Sequence, residues 1–310
     1  MDLSTDKTKR NNYADKEFWN ARFTSEKKND WYIMWKEFKP YIDSMATAKD
    51  IPILNVGCGN SYISIDMWKD GFSNVVNIDI SDKAVEMMSS QAESLGVKTQ
   101  FLEMDATKMT FPDDSFEAVI DKGTLDALNC ALDNQLSYDL VREMYRVCRV
   151  GGRVFIVTHT CPDERGKILD TIFDPSKTRI RYCLQSLSPQ VNLVNIMRSK
   201  GKGKTMNDII RDPELFVECL SEHKRDQEEA KNMSMMWRDY NWYGSKKYQE
   251  LESQITEVEV QKSPVSGQLD PQDLLECEKN SENSTSLETR ERFLPRQNYC
   301  FIYEISKLSK

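Results

Sequence analysis

A chain of 310 residues, 39% hydrophobic and 30% charged, can bury one sizeable core while keeping part of itself strongly solvated. A formal net charge of −8 excludes a general nucleic-acid binder and suits a basic partner. No run of 18 apolar residues, eight scattered cysteines without a CxxC pair and only two histidines argue against a membrane span and a structural zinc site. The opening MDLSTDKTKRNNY is polar and unlike a signal peptide, so a reduced, cytoplasmic protein is expected.

Between residues 51 and 160 apolar strand-like runs alternate with helical patterns, which signals a parallel sheet with helices on its faces. The runs predict strands at 52–56, 75–79, 99–103, 117–121 and 153–158, with helices over 61–69, 82–95 and 136–149. Ser81-Asp82 offers an N-cap ahead of Ala84, Val85, Met87 and Met88. Gly96 ends that helix, and Gly151-Gly152 is expected to end the later one just before a strand.

Farther on, "RIRYCLQSL" (179–187) and "YCFIYEI" (299–305) read as strands, the second rich in aromatic and branched residues. Residues 200–260 are charged and helix-prone, with a Trp237/Tyr240/Trp242/Tyr243 cluster, and "RSKGKGK" (198–204) reads as a solvated loop. Residues 261–292 are acidic and Ser/Asn-rich, a disordered composition. Return to a hydrophobic strand after such a stretch predicts a core over 1–190, an insertion over 191–295 and a final core strand in 296–310. The competing division makes "VNLVNIM" (191–197) the last core strand, but Asn192 and Asn195 fit a buried central strand poorly.

The stretch "ILNVGCGNSYIS" (53–64) carries the first chemical signal. Gly57 and Gly59 follow the first strand, where backbone can approach a ligand. A dinucleotide fingerprint requires glycine at position 62, which is Tyr62, and no GKS or GKT follows. An ordinary tight turn stays open at this point. Asp79 then ends the second strand, about twenty residues on, where a carboxylate accepts both ribose hydroxyls. Asp105, with Ala106 behind it, ends the third, where an acid can accept an adenine amino hydrogen. Either acid alone reads as a helix cap. Three successive strand ends carrying Gly-rich, Asp and Asp describe a nucleoside pocket without a phosphate grip.

VGCGNS, NIDIS, EMDAT and "FEAVIDKGTLDAL", in that order, resemble the seven-strand S-adenosylmethionine-dependent methyltransferases. GCGNS with DKGTLDAL is similar to the eukaryotic branch related to the lysine methyltransferases of translation elongation factor 1-alpha. "FWNARF" (18–23) and "DWY" (30–32) match that branch's N-terminal elements, with Phe23 where a tyrosine is common. The resemblance covers about residues 13 to 160. It implies an α/β, Rossmann-like doubly wound sheet of seven strands, mostly parallel with an antiparallel last strand. It implies S-adenosylmethionine as cofactor, held by Trp19, Phe23, Trp31, Gly57, Gly59, Asp79, Ile80, Asp105, Ala106 and Lys122. For Trp19 and Trp31 plain packing is the alternative.

Methyl transfer needs an in-line neutral nucleophile and dry surroundings, so positioning dominates. Asp121 and Asp126 flank the exit of the fourth strand, where an amine should arrive, and are the candidate catalytic residues. The position where adenine methylases carry (N/D)PP(Y/W) reads DKGT, which together with the acidic balance speaks against a nucleic-acid substrate. His159 ends the fifth strand near the same rim, where a partnered surface role is the simpler reading; His223 reads as a solvated helix face. The expected activity is protein-lysine methylation of an elongation factor 1-alpha-like, basic protein. Two alternatives stay open: a methyltransferase-fold scaffold that uses its insertion to bind partners, and a small-molecule methyltransferase.

Overall fold

Five strand-like runs become parallel neighbours in one sheet, with Ile53–Val56 and Phe116–Lys122 buried throughout and Gln100–Glu103 a largely exposed edge. The computed structural model describes residues 13–25, 30–130, 135–201, 204–231, 238–240 and 299–309. Its strands are β1 (Ile53–Val56), β2 (Val75–Asp79), β3 (Gln100–Glu103), β4 (Phe116–Lys122), β5 (Cys148–Thr158), β6 (Thr178–Ser186), β7 (Arg238–Asp239) and β8 (Tyr299–Lys307). They lie in the order β3-β2-β1-β4-β5-β8-β6-β7. β8 runs antiparallel to both β5 and β6, so the expected seven-strand sheet with its antiparallel last strand is present. The two-residue β7 adds an edge.

The helices between strands are α3 (Ile63–Lys69), α4 (Asp82–Ser94), α5 (Thr124–Asn129), α6 (Gln135–Val147) and α7 (Pro162–Ile172). The Ser81 hydroxyl accepts the Ala84 N–H at 3.2 Å, which makes it the N-cap its sequence suggests. Two further helices precede the sheet: α1 (Lys16–Ser25) and α2 (Trp35–Asp43). Helix α2 buries Trp35, Phe38, Tyr41 and Ile42 in a core shared with Ile53, Ile120, Phe155, Val157 and Ile302. Each such side chain contributes about 1.5–3 kcal/mol by leaving water. Phe38 meets Phe155 edge to face, with ring centroids 5.6 Å apart.

Three local expectations are corrected, and the competing placement of 191–197 as a strand fails. Gly151-Gly152 does not end a helix: α6 stops at Val147, and the pair lies inside β5 at a shift of register between Cys148 and Arg153. A Cβ on Gly152 would sit 2.7 Å from the Glu117 carbonyl oxygen, so this tight bulge excludes a side chain. "VNLVNIM" is helical, within α8 (Pro189–Gly201), because Leu193, Ile196 and Met197 share one face and pack together at i, i+3 and i+4. Residues 198–201 of "RSKGKGK" close that helix rather than forming a loop, and Lys200 pairs with Glu218 and Glu222 of α10 (Pro213–Lys231). His223 is not merely solvated: its Nδ1 lies 2.7 Å from the Asn192 side-chain oxygen, and Asn192 also donates to Asp226. Tyr240 is buried and its hydroxyl donates to Asp170 at 2.8 Å. Trp237, Trp242, Tyr243 and the stretch 261–292 lie outside the described residues.

Candidate cofactor and acceptor site

The carboxyl ends of β1 to β5 lie side by side, and the sequence-selected residues fall there into two groups. In the first, Gly57 and Gly59 both take left-handed conformations, with φ of +58° and +51°. A Cβ on Gly57 would overlap the Thr124 hydroxyl at 1.9 Å, so the turn closes against α5 only with glycine. Asp79 at the end of β2 binds this turn: one oxygen accepts the Gly59 N–H at 2.8 Å, the other the Ser81 N–H at 2.9 Å. Burial pushes the Asp79 carboxyl up to about 6, against the pull of the Ser81, Gly59 and Ile80 N–H groups.

Asp105 folds its own turn, one oxygen accepting both the N–H (2.9 Å) and the hydroxyl (2.7 Å) of Thr107. Partial burial would raise its pKa, but Thr107 and Lys108 outweigh that and hold it below the ordinary value. Ile80 and Ala106 follow the two acids, both half-buried. Helix α1 lies over the glycine turn: Trp19 stacks on Phe23 at 5.6 Å, and a Cβ on Gly59 would come 3.3 Å from the Phe23 ring. The Arg22 guanidinium stands 5.4 Å from the Trp19 ring centre and 5.3 Å from that of Trp31, which is 40% exposed.

The second group is built on residues 30–34, a strap that ties the ends of β1, β4 and β5. Asp30 accepts the Ser61 hydroxyl. Lys122 donates its Nζ to the Trp31 carbonyl at 3.1 Å and lies 3.8 Å from Asp30. Burial lowers the Lys122 pKa against the raising influence of Asp30. Tyr32 adopts φ +61°, a costly conformation for a bulky residue, and its carbonyl accepts the Ser188 N–H at 2.9 Å. Its hydroxyl donates to Asp126 Oδ2 at 2.8 Å and lies 3.0 Å from His159 Nδ1.

Asp121 and Asp126 are both buried, in different roles. Asp121 accepts the Thr124 N–H at 2.9 Å and the Leu125 N–H at 3.3 Å, capping α5. Burial, then the charge of Asp126, pushes it up to about 7. Asp126 gathers Tyr32, the Thr158 hydroxyl (2.5 Å), the Thr160 hydroxyl (3.1 Å), the His159 N–H (3.3 Å) and Arg165 Nη2 (2.7 Å). Burial opposes its ionisation, but His159, Arg165 and Thr158 overcome this and hold it well below the usual carboxylate range. Arg165, on α7, is fully buried, and its Nε and Nη1 have no hydrogen-bond partner.

Sequence reasoning selected Asp126 and Trp31 but missed Tyr32, Ser61, Thr158 and Arg165. Tyr32 and Ser61 lie inside the DWY and GCGNS motifs without being singled out there, and nothing local marks Thr158 or Arg165, because each gains its meaning from a partner far along the chain. Lys122 was selected for cofactor contact; its hydrogen bond goes to the strap. Among the described residues no cluster of metal-ligating side chains is present, and no helix is long and apolar enough to cross a membrane.

Residues 47–252 match the methyltransferase-domain family. The chain is 38% identical over 154 residues to the eEF1A lysine and N-terminal methyltransferase homolog of Drosophila pseudoobscura pseudoobscura, covering 48% of this chain and 23% of that protein. It is 41% identical over 150 residues to the homolog of Drosophila melanogaster, covering 46% and 22%. The chain therefore spans less than a quarter of the length of these relatives. A crystal structure of a SAM-dependent methyltransferase from Methanosarcina mazei is 27% identical, with a TM-score of 0.35 over 38% of this chain and 57% of that one. With the family pattern running over more than half of the sequence and the expected strand order beneath it, the chain belongs to the methyltransferase-domain family and has the class I, S-adenosylmethionine-dependent methyltransferase fold.

Proposed function

We propose that this chain binds S-adenosylmethionine over the ends of β1 to β3 and methylates a lysine side chain of a folded, basic protein, an elongation factor 1-alpha-like protein first among candidates. The observation that carries the cofactor half is Asp79: a buried carboxylate spends one oxygen's bond on Gly59 of the turn and the other's on Ser81, and keeps lone pairs for a ribose. Asp105 and Ala106 would hold the adenine, Ile80 its face, and Gly57 and Gly59 would let the backbone approach. Trp19, Phe23 and Trp31 would cover the cofactor, with Lys122 securing Trp31 from below. These residues fit the group by chemistry: backbone and carboxylates for a nucleoside, aromatic rings for a sulfonium.

The bound cofactor supplies an electrophilic methyl group; the chain must deliver a neutral amine in line and keep water out. Asp126, held ionised, would place negative charge beside the arriving ammonium, and Asp121 would help to orient it. The lysine substrate rests on the relatives being eEF1A lysine and N-terminal methyltransferase homologs, together with the net charge of −8 that favours a basic partner.

Calorimetry tests the cofactor half: Asp79→Ala should abolish S-adenosylmethionine binding while circular dichroism stays unchanged. Unchanged binding would remove the assigned pocket. Mass spectrometry of elongation factor 1-alpha after incubation with protein and cofactor tests the acceptor. Methylation of small amines alone, or of nothing despite cofactor binding, would replace the lysine reading with a small-molecule enzyme or a scaffold.

A further inference from the structure

We propose that His159 takes the proton from the acceptor ammonium, with Asp126 and Tyr32 fixing its ring so that Nε2 faces the incoming amine as a base. The inference rests on the lysine-methylating reading and names the group that prepares the nucleophile. A lysine arrives as an ammonium with no lone pair to attack a methyl group, so its proton must pass to a base before transfer. The reaction then balances: the N–H bond breaks toward His159 Nε2 and the freed nitrogen pair forms the N–C bond. The C–S bond breaks with its electrons on sulfur, and His159 releases its proton to solvent.

Of the groups at this rim, the carboxylates are the poorer bases. Asp121 is buried and spends its oxygens on the Thr124 and Leu125 N–H groups. Asp126 is saturated by donors from three elements and the strap. His159 differs: its side chain is 40% exposed at the end of β5. Among the described residues only Nδ1 is engaged, 3.0 Å from the Tyr32 hydroxyl and 3.3 Å from Asp126 Oδ2.

The partners assign the proton. Tyr32 has one hydroxyl hydrogen and gives it to Asp126, so toward His159 its oxygen is an acceptor. Asp126 is an acceptor as well. Both neighbours of Nδ1 therefore require an N–H there, which leaves the lone pair of the neutral ring on Nε2. This is the logic of a buried aspartate holding a histidine in its working tautomer. The charged and titratable groups facing the ring are Asp126, Arg165, Glu164 and Tyr32. The bond and charge of Asp126 outweigh burial and Arg165, so the His159 pKa lies above its ordinary value. As a base it works when neutral, and the rate should rise with pH through that raised value.

Imidazole nitrogen NMR of the free protein reads the tautomer directly, and with only His159 and His223 in the chain a His159→Gln variant assigns the signals. The neutral ring should carry its proton on Nδ1; a proton on Nε2 overturns the inference. With elongation factor 1-alpha and S-adenosylmethionine, His159→Gln should lower kcat by about 100-fold or more and leave cofactor Kd unchanged. It should also erase the histidine limb, so that the remaining rate climbs into the alkaline range of free lysine. A wild-type protein that methylates while the variant keeps its rate and limb overturns this inference alone. A wild-type protein that methylates no lysine at any pH overturns the acceptor reading, and this inference with it.

Discussion

The two halves of the site are made in different ways. Over β1 to β3, each functional group is held by its own neighbourhood: Asp105 by Thr107, Asp79 by Ser81 and by a turn twenty residues away. Over β4 and β5, the groups are held by partners brought from afar, with Tyr32 reaching Asp126 across 94 residues and His159 across 127. Local turns shape the proposed nucleoside cradle. The acceptor half exists only once strap, sheet and α7 have packed, so its integrity depends on buried long-range polar contacts.

The sharpest way to break this contrast is Arg165→Met. It leaves Asp126 charged in a dry site without its guanidinium, and unfolding free energy should fall by about 3–5 kcal/mol in a denaturant titration. Cofactor affinity of the molecules still folded should hold, since the cradle is separate. Loss of both together would show that the halves are one unit. Next comes Gly57→Ala. Left-handed backbone costs about 1–2 kcal/mol for a non-glycine residue, and overlap with Thr124 adds a packing cost. The expected total is about 3 kcal/mol with cofactor binding lost, checked by thermal unfolding with and without ligand.

Asp79→Asn should change the pH dependence of stability. A carboxyl whose folded pKa of about 6 exceeds its ordinary value of 3.8 contributes stability that is complete below pH 4 and lost as pH rises through 6. The amide escapes that loss. Its NH2 group cannot accept one of the two N–H bonds, at a cost of about 1–3 kcal/mol at any pH. The ligand-free variant should therefore start less stable below pH 4 and gain about 2 kcal/mol on the wild type by pH 7.5, while cofactor binding is weakened. Equal pH profiles would show that Asp79 is not the strained acid of the cradle. Smallest is Gly59→Ala, which takes the same left-handed backbone cost at φ +51° but only brings its methyl to 3.3 Å from the edge of the Phe23 ring. About 1–2 kcal/mol is expected, with a change in Trp19 fluorescence as the stack on Phe23 shifts.

Legibility in the sequence followed the same division. β1, β2, β4 and β5 could be read because strands buried in the middle of a sheet are mostly apolar, the edge strand β3 from its place in the alternation, and Gly57, Asp79 and Asp105 because strand ends fix their places. Helix α2 was missed: Pro40 sits inside it and disguises a pattern whose buried Trp35, Phe38, Tyr41 and Ile42 all share one face. Residues 191–197 were kept out of the sheet for an inadequate reason. Asparagines do occur in its central strands, where Asn55 donates to Asn77 at 3.0 Å and Asn77 to the Gln100 carbonyl at 2.9 Å. A buried amide is tolerated when paired, and helical spacing is what excludes the segment. Tyr32, Thr158 and Arg165 could not be found by pattern, because hydrogen bonding to a distant carboxylate leaves no periodicity.

β8 has a consequence for how the protein is made. It is the last strand in chain order, yet it occupies the sixth place of the sheet and pairs on both sides, with β5 and β6. The nearly inaccessible Glu304 receives Arg153 from one neighbour and Arg181 from the other, while Lys307 donates to the Cys148 carbonyl and to Asp114. On the ribosome, β5 and β6 emerge more than a hundred residues before their common partner. At ordinary synthesis rates that delay is about 10 s, during which two hydrophobic strand edges stand open. The nascent chain is a natural client for a chaperone during that interval, and a message truncated upstream of residue 299 would yield a sticky fragment rather than a smaller enzyme.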